Sequence, residues 1–268
     1  MKSFFRYPGA KAKLLQYINP YIDSLINNAT EFADVFVGGG SVLLDVATRY
    51  PNIILHANDK DKTIYSFWKI VAGNDINKLD TLLDLMSVQP TIELFNKLRN
   101  DPSTLTDIDL AYRGIFFNRT TFSGIAYSGP IGGKSQSGKY KVDCRYNFKK
   151  LKDRILKANK LLSGRTNVTN DDFIDFNILK NTTIPVYLDP PYFKAGDSLY
   201  LEKMNYANHK QLADLLKVRP NWILSYDSCT EIIDLYKYNK IIDLAARYCI
   251  NGKKENWKNK NELIIMGN

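Results

Sequence analysis

Asp189, Pro190, Pro191 and Tyr192 follow directly on an apolar run, IPVYL, at residues 184–188. By composition such a tetrapeptide is roughly a one-in-a-thousand event in a chain of this length, with Pro near 5% of residues. A rigid exit turn from a strand accounts for the prolines but not for the acid and the aromatic beside them. The set fits one chemical problem. The exocyclic amine of adenine is a poor nucleophile because its lone pair is delocalised into the ring. A site assists by accepting hydrogen bonds from both N–H groups. Asp189 offers a side-chain acceptor, and Pro190 offers a carbonyl held still because the next residue is also proline. Attack develops positive charge on nitrogen, so fixed acceptors stabilise the transition state more than the ground state. Tyr192 is expected to stack on the base and align it. Asp189, Pro190 and Tyr192 are the candidate catalytic residues, with no covalent enzyme intermediate.

A second constellation lies about 150 residues earlier. Gly38, Gly39, Gly40 and Ser41 separate a strand-like stretch, EFADVFV (31–37), from a helical one, SVLLDVATRY (41–50), which Ser41 is placed to cap. Such a turn lets a ligand approach the backbone and leaves helix amides facing it. Asp59 ends the next strand, NIILHAND (52–59), where nucleotide-binding α/β proteins place a carboxylate on ribose hydroxyls. A dinucleotide fingerprint is incomplete, because Leu43 stands where its last glycine belongs. Asp34, just before the turn, would repel a pyrophosphate but pair with an ammonium. A ligand with a ribose, a carboxylate and an amine satisfies all three features, and S-adenosylmethionine is such a ligand.

Strand, turn, helix and strand form the parallel unit of an α/β fold. Residues 14–28 precede it as a helix. From about residue 65 to 98 the pattern is helical. Residues 109–147 begin apolar, then become rich in Gly, Ser, aromatic and basic residues, which predicts long loops or a hairpin. An amphipathic helix follows at 148–162. A strand followed by a turn is expected at 166–173, strands at 183–188 and 221–227, and an edge or hairpin strand at 262–268, with helices at 208–217 and 230–239. The organisation is one α/β catalytic domain from 1–64 and 166–268, with a basic, mostly helical insertion at 65–165.

The net charge of +9 is localised. Between Lys134 and Arg165 stand eleven Lys or Arg and two Asp, so this segment alone carries +9 and the remainder sums to zero. A basic segment in a neutral protein reads as a polyanion-binding surface. Three scattered cysteines and two histidines support neither a disulfide framework, a zinc site nor a His-based triad, and no metal is expected. No apolar run is long enough to span a membrane, the N-terminus lacks a signal peptide's apolar core, and the expected location is the cytoplasm.

Five blocks in order, FRYPGAKAKLL (5–15), ADVFVGGGSV (33–42), HANDKD (56–61), FFNRTTFSG (116–124) and LDPPYF (188–193), resemble the Dam-type DNA adenine-N6 methyltransferases. The family's second glycine is Ala10 here, and its proline before the turn is Val35. The resemblance implies a Rossmann-like methyltransferase sheet with an inserted target-recognition region. It implies contacts to S-adenosylmethionine, released as S-adenosylhomocysteine, from Tyr7, Lys11, Asp34, Gly38, Gly40, Asp59 and Asp189, with Asp172 and Phe173 flanking the cofactor's adenine.

In-line methyl transfer needs the base outside the duplex, at a cost of a few kcal/mol. The basic segment would offset it through phosphate contacts from Lys149, Lys150, Lys152, Arg154 and Lys157. Lys139 belongs to the same surface. Arg119, Arg145 and Asn147 are of the types that read base edges. Tyr127 and Tyr146 are candidates to fill the gap left by the flipped base, and residues 247–260 form a second basic stretch, expected as a loop near DNA. The protein is expected to act as a monomer on double-stranded DNA, with any cognate restriction endonuclease acting separately. The readings weighed against this are an amino-methyltransferase acting on cytosine N4 or on RNA adenine, an inactive DNA-binding relative and a nicotinamide-dependent oxidoreductase.

Overall fold

The computed structural model describes residues 3–6, 11–101, 103–193, 204–249 and 257–267. Among them seven strands form one sheet: β1 (Glu31–Asp34), β2 (Ile54–Asn58), β3 (Thr166–Thr169), β4 (Val186–Leu188), β5 (Trp222–Asp227), β6 (Lys240–Cys249) and β7 (Trp257–Met266). Their order is β3-β2-β1-β4-β5-β7-β6. The first five are mutually parallel, and β7 runs antiparallel to both β5 and β6.

Period-two alternation assigns each strand's residues to two faces. Phe32, Tyr187, Ile223 and Ile264 join one apolar cluster, while Ala33, Val186, Leu188, Leu224, Leu263 and Ile265 join the other. Helices cover both faces, and the central strands β4 and β5 are buried throughout, while β3 at the sheet's edge and the start of β2 stay partly exposed. The first face carries α1 (Leu15–Ile26), α2 (Ser41–Arg49), α3 (Lys62–Val71), α4 (Ile76–Ser87), α5 (Ile92–Asn100), α6 (Asp107–Thr120) and α7 (Phe148–Leu162). The second carries α8 (Tyr206–Lys217) and α9 (Thr230–Leu235).

The expected boundary at residue 65 falls inside α3. Helices α4 to α7 share one core with α1, α2 and the sheet, so among the described residues the inserted segment shows no separate core. Its irregular part after α6 holds a single bridge, Thr121 to Pro130, among the described residues, rather than a full hairpin. The stretch at 247–260, expected as a loop, instead contributes the end of β6 and the start of β7, with residues 250–256 outside the described set. Lysine and asparagine hide strand character there, and β6 is the sheet's edge, where charged residues are tolerated.

The strand order reverses between β1 and β4. Ligands of open α/β sheets bind beyond the carboxyl ends of strands at such a point. The ladder aligns Asp34 with Tyr187 and Ala57, and Asn58 with Thr169, so β1, β2, β3 and β4 end together on that edge.

Candidate active site

Each chemically suggestive acid sits where one of these strands stops. Asp34 ends β1, Asp59 follows β2, Asp172 lies three residues past β3, and Asp189 follows β4. They line one cavity of about 370 Å³ with Lys11, Gly38, Gly39, Gly40, Phe173 and Pro191. That volume suits a small organic ligand. Tyr7 lies outside the described residues.

The glycine turn is held by its neighbours. Gly40 has φ of +67° and caps α2, and a Cβ there would run into the Trp68 ring, so only glycine fits both demands. The cap is therefore Gly40 without a side-chain bond, and Ser41 is the first helical residue, not the cap. Trp68 Nε1 donates to Gly38 O at 2.9 Å, and Gly38 N–H donates to Asp59 Oδ2 at 2.8 Å. Asp59 Oδ1 accepts from the amide of Asp61, whose side chain caps α3. Val35, at the family's proline position, donates its N–H to Tyr187 O at 3.0 Å, a bond that proline cannot make.

Asp34 is 2% exposed. Burial and nearby Asp189 push its carboxyl up to about 8, against the opposing hydrogen bond from the Leu43 amide. Its Oδ1 has no hydrogen-bond partner among the described residues. A buried acceptor left unsatisfied beside a cavity fits a cationic ligand group.

Lys11, 4% exposed, organises the far end. Its Nζ donates to Asp189 Oδ1 at 2.6 Å and to the Tyr192 hydroxyl at 2.6 Å, and lies 3.1 Å from Glu262 Oε1. Burial alone would lower its pKa, but Asp189 and Glu262 outweigh that and hold it well above the usual lysine value. Asp189 is 24% exposed; desolvation and Glu262 raise its carboxyl to about 6 while Lys11 pulls the other way. Glu262 is 1% exposed and escaped sequence reasoning, its one signal being an acid heading the apolar run LIIM.

Tyr192 departs from expectation. Its hydroxyl donates to Glu262 while accepting from Lys11, and its ring lies 6.4 Å from that of Tyr226. So held, the ring is buried and does not line the cavity, and it offers no stacking face there.

The family description "D12 class N6 adenine-specific DNA methyltransferase" matches residues 7–250. The chain belongs to this family. It is similar to the type II methyltransferase M.MjaIII of Methanocaldococcus jannaschii, at 25% identity over 209 residues, covering 72% of this chain and 69% of that protein. The chain is thus an adenine-N6 DNA methyltransferase. Among the described residues no cluster of metal-ligating side chains occurs, and no helix is long and apolar enough to cross a membrane.

In this D12-class enzyme the expected DNA-facing residues divide. Lys139, Arg145, Asn147, Lys149 and Lys150 are exposed, as are Lys152 and Lys157. Asn147 Oδ1 is engaged as the cap of α7, accepting from the Lys150 amide at 3.0 Å. Tyr127 is 47% exposed and lines the cavity. Arg119 instead turns inward, its guanidinium donating to Phe4 O, and Arg154 likewise donates to Ser3 O. Tyr146 is buried with its hydroxyl on Met86 O at 3.0 Å, so it cannot fill a gap in the duplex from this position. These side chains tie the N-terminal segment and α4 to the helical layer. Asn118 joins them: its side chain accepts from Arg6 N at 2.6 Å and donates to Arg6 O at 3.1 Å and Gly124 O at 3.0 Å. Gly124, at φ of +77°, leaves no room for a Cβ against Arg6 O. Much of FNRTTFSG is therefore a clamp on the N-terminal motif.

Proposed function

We propose that the methyl donor is S-adenosylmethionine and that the target adenine is turned out of duplex DNA toward Asp189. The observation that carries this reading is the single cavity running from the glycine turn, past Asp59 and Asp172, to Asp189. Asp34, Gly38, Gly40, Asp59, Asp172 and Phe173 would hold the donor, which supplies an electrophilic methyl group on its sulfonium. Asp34 pairs with the donor's ammonium and loses its proton on doing so. Asp59 exchanges Gly38 N–H for ribose hydroxyls. Asp189 keeps Oδ1 on Lys11 and accepts from the adenine amine through Oδ2, with the Pro190 carbonyl as the second acceptor. These acceptors act on charge that appears only as nitrogen attacks, so they raise the rate more than the affinity. Tyr192 contributes through its hydroxyl, from beneath, rather than as a stacking plate.

The exposed lysines of α7, with Lys139 and Arg145, supply phosphate contacts that repay unstacking. The name of the similar protein supports reading the chain as the modification member of a type II restriction pair, acting as a monomer. Calorimetric titration with S-adenosylmethionine tests the cofactor assignment. Binding by the wild type, weakened at least tenfold by Asp59→Ala, is expected. Absence of wild-type binding overturns it.

A further inference from the structure

Glu262 lies beyond the span matched by the family description, which ends at residue 250. It stands opposite Asp227, the last residue of β5, and β7 runs antiparallel to β5. The residue at which β7 begins to pair with β5 is thereby delivered to the edge where the parallel strands end. A carboxylate buried in an apolar strand is retained only if matched by donors. Glu262 meets the Lys11 ammonium at 3.1 Å and the Tyr192 hydroxyl.

Both donors lead to Asp189. The same ammonium lies 2.6 Å from Asp189 Oδ1, and Tyr192 is joined to Asp189 through the two prolines. A cation shared between two carboxylates is fixed between them. Facing Asp189 alone, it would be free to straddle both oxygens. A tyrosine tied at its hydroxyl fixes the far end of the rigid turn that carries Asp189 and Pro190.

We propose that Glu262 is a positioning residue for methyl transfer: it shares Lys11 and anchors Tyr192, so that Asp189 Oδ2 and the Pro190 carbonyl stay aimed at the substrate amine. This rests on the reading of Asp189 as the amine acceptor.

The test uses the full chain carrying Glu262→Gln, which keeps size and an acceptor but removes the charge, and Glu262→Asp, which keeps the charge. Methyl transfer is measured at saturating S-adenosylmethionine and unmethylated duplex DNA. Cofactor affinity is measured by calorimetry, and Lys11 protection by acetic anhydride labelling with mass spectrometry. For Glu262→Gln the expected results are a rate at least tenfold lower, cofactor affinity within threefold of wild type and Lys11 labelling at least fivefold faster. Glu262→Asp is expected to recover part of the rate. A Glu262→Gln rate within twofold of wild type overturns the proposal, as does a loss fully explained by a smaller folded fraction. Should Glu262→Gln not fold, Glu262→Asp decides: a wild-type rate with altered Lys11 labelling overturns the proposal, and a lowered rate with intact folding supports it. If the wild type itself forms no N6-methyladenine, the functional reading fails, and Lys11 labelling still reports whether Glu262 holds the lysine.

Discussion

The carboxyl edge of the sheet and the helical insertion are both rich in charge, yet they use it differently. At the edge, Asp34, Asp59, Asp172 and Asp189 are each placed by a strand that must stop there, and they converge on one cavity. In the insertion, exposed Lys149 and Lys150 alternate in sequence with cations that turn inward, such as Arg154, while Arg119 at the end of α6 does the same. Backbone topology fixes where a short acid at a strand end can be. A long guanidinium stem reaches in either direction, and a buried carbonyl attracts it as well as a phosphate does.

Removing the hub of the edge should have the largest effect. Lys11→Met leaves Glu262 and Asp189 without their shared cation, and on the order of 3 kcal/mol of stability should be lost along with methyl transfer. Thermal unfolding and a nucleoside assay check both. Asp34→Asn should raise stability without cofactor by on the order of 2 kcal/mol at pH 8, since it removes an unsatisfied buried acid. The sign follows from proton uptake. The folded carboxyl, held near 8, binds a proton that the unfolded one releases near pH 4, so wild-type stability falls as pH rises across that window. The variant's advantage should therefore shrink toward pH 5, and a pH series of melting temperatures checks it.

In the insertion, Arg119→Met should cost about 1 to 2 kcal/mol of stability while leaving the recognised DNA sequence unchanged, as expected of a structural cation and not of a base reader. Melting curves and sequencing of methylated DNA from an expressing host check this. A relaxed sequence preference would erase the contrast between the two regions. Lys149→Gln and Lys150→Gln should have the smallest effect, each weakening binding evenly across sequences and lowering the salt slope by about 0.9 per phosphate lost. Anisotropy titrations across salt concentrations check it.

The same contrast explains how far sequence reading reached. The presence of β1, β2, β4 and β5, the glycine turn and α7 were legible because apolar periodicity and turn residues dictate them locally, but β1 stops at Asp34 instead of running on to Val37, and β6 was not anticipated. Residues 148–162 were read as a helix, and α7 spans Phe148–Leu162. Glu262 was not legible, because its place depends on β7 running against β5, a pairing between segments that sequence periodicity does not specify. Tyr192 was assigned to stacking for the same reason: its hydroxyl partners come from residues 11 and 262. The inward turn of Arg119 depends on backbone supplied from residue 4, more than a hundred residues away.

Under the proposed function, ionised Asp189, which follows β4, accepts the amine of adenine. The most direct test of that role is digestion of treated DNA to nucleosides and quantification of N6-methyladenine, for wild type and Asp189→Ala across pH 5 to 8. Wild-type product is expected to decline below about pH 6, where Asp189 takes up its proton, and the variant is expected to lose at least about a thousandfold at every pH. Wild-type-level N6-methyladenine from Asp189→Ala would contradict that role.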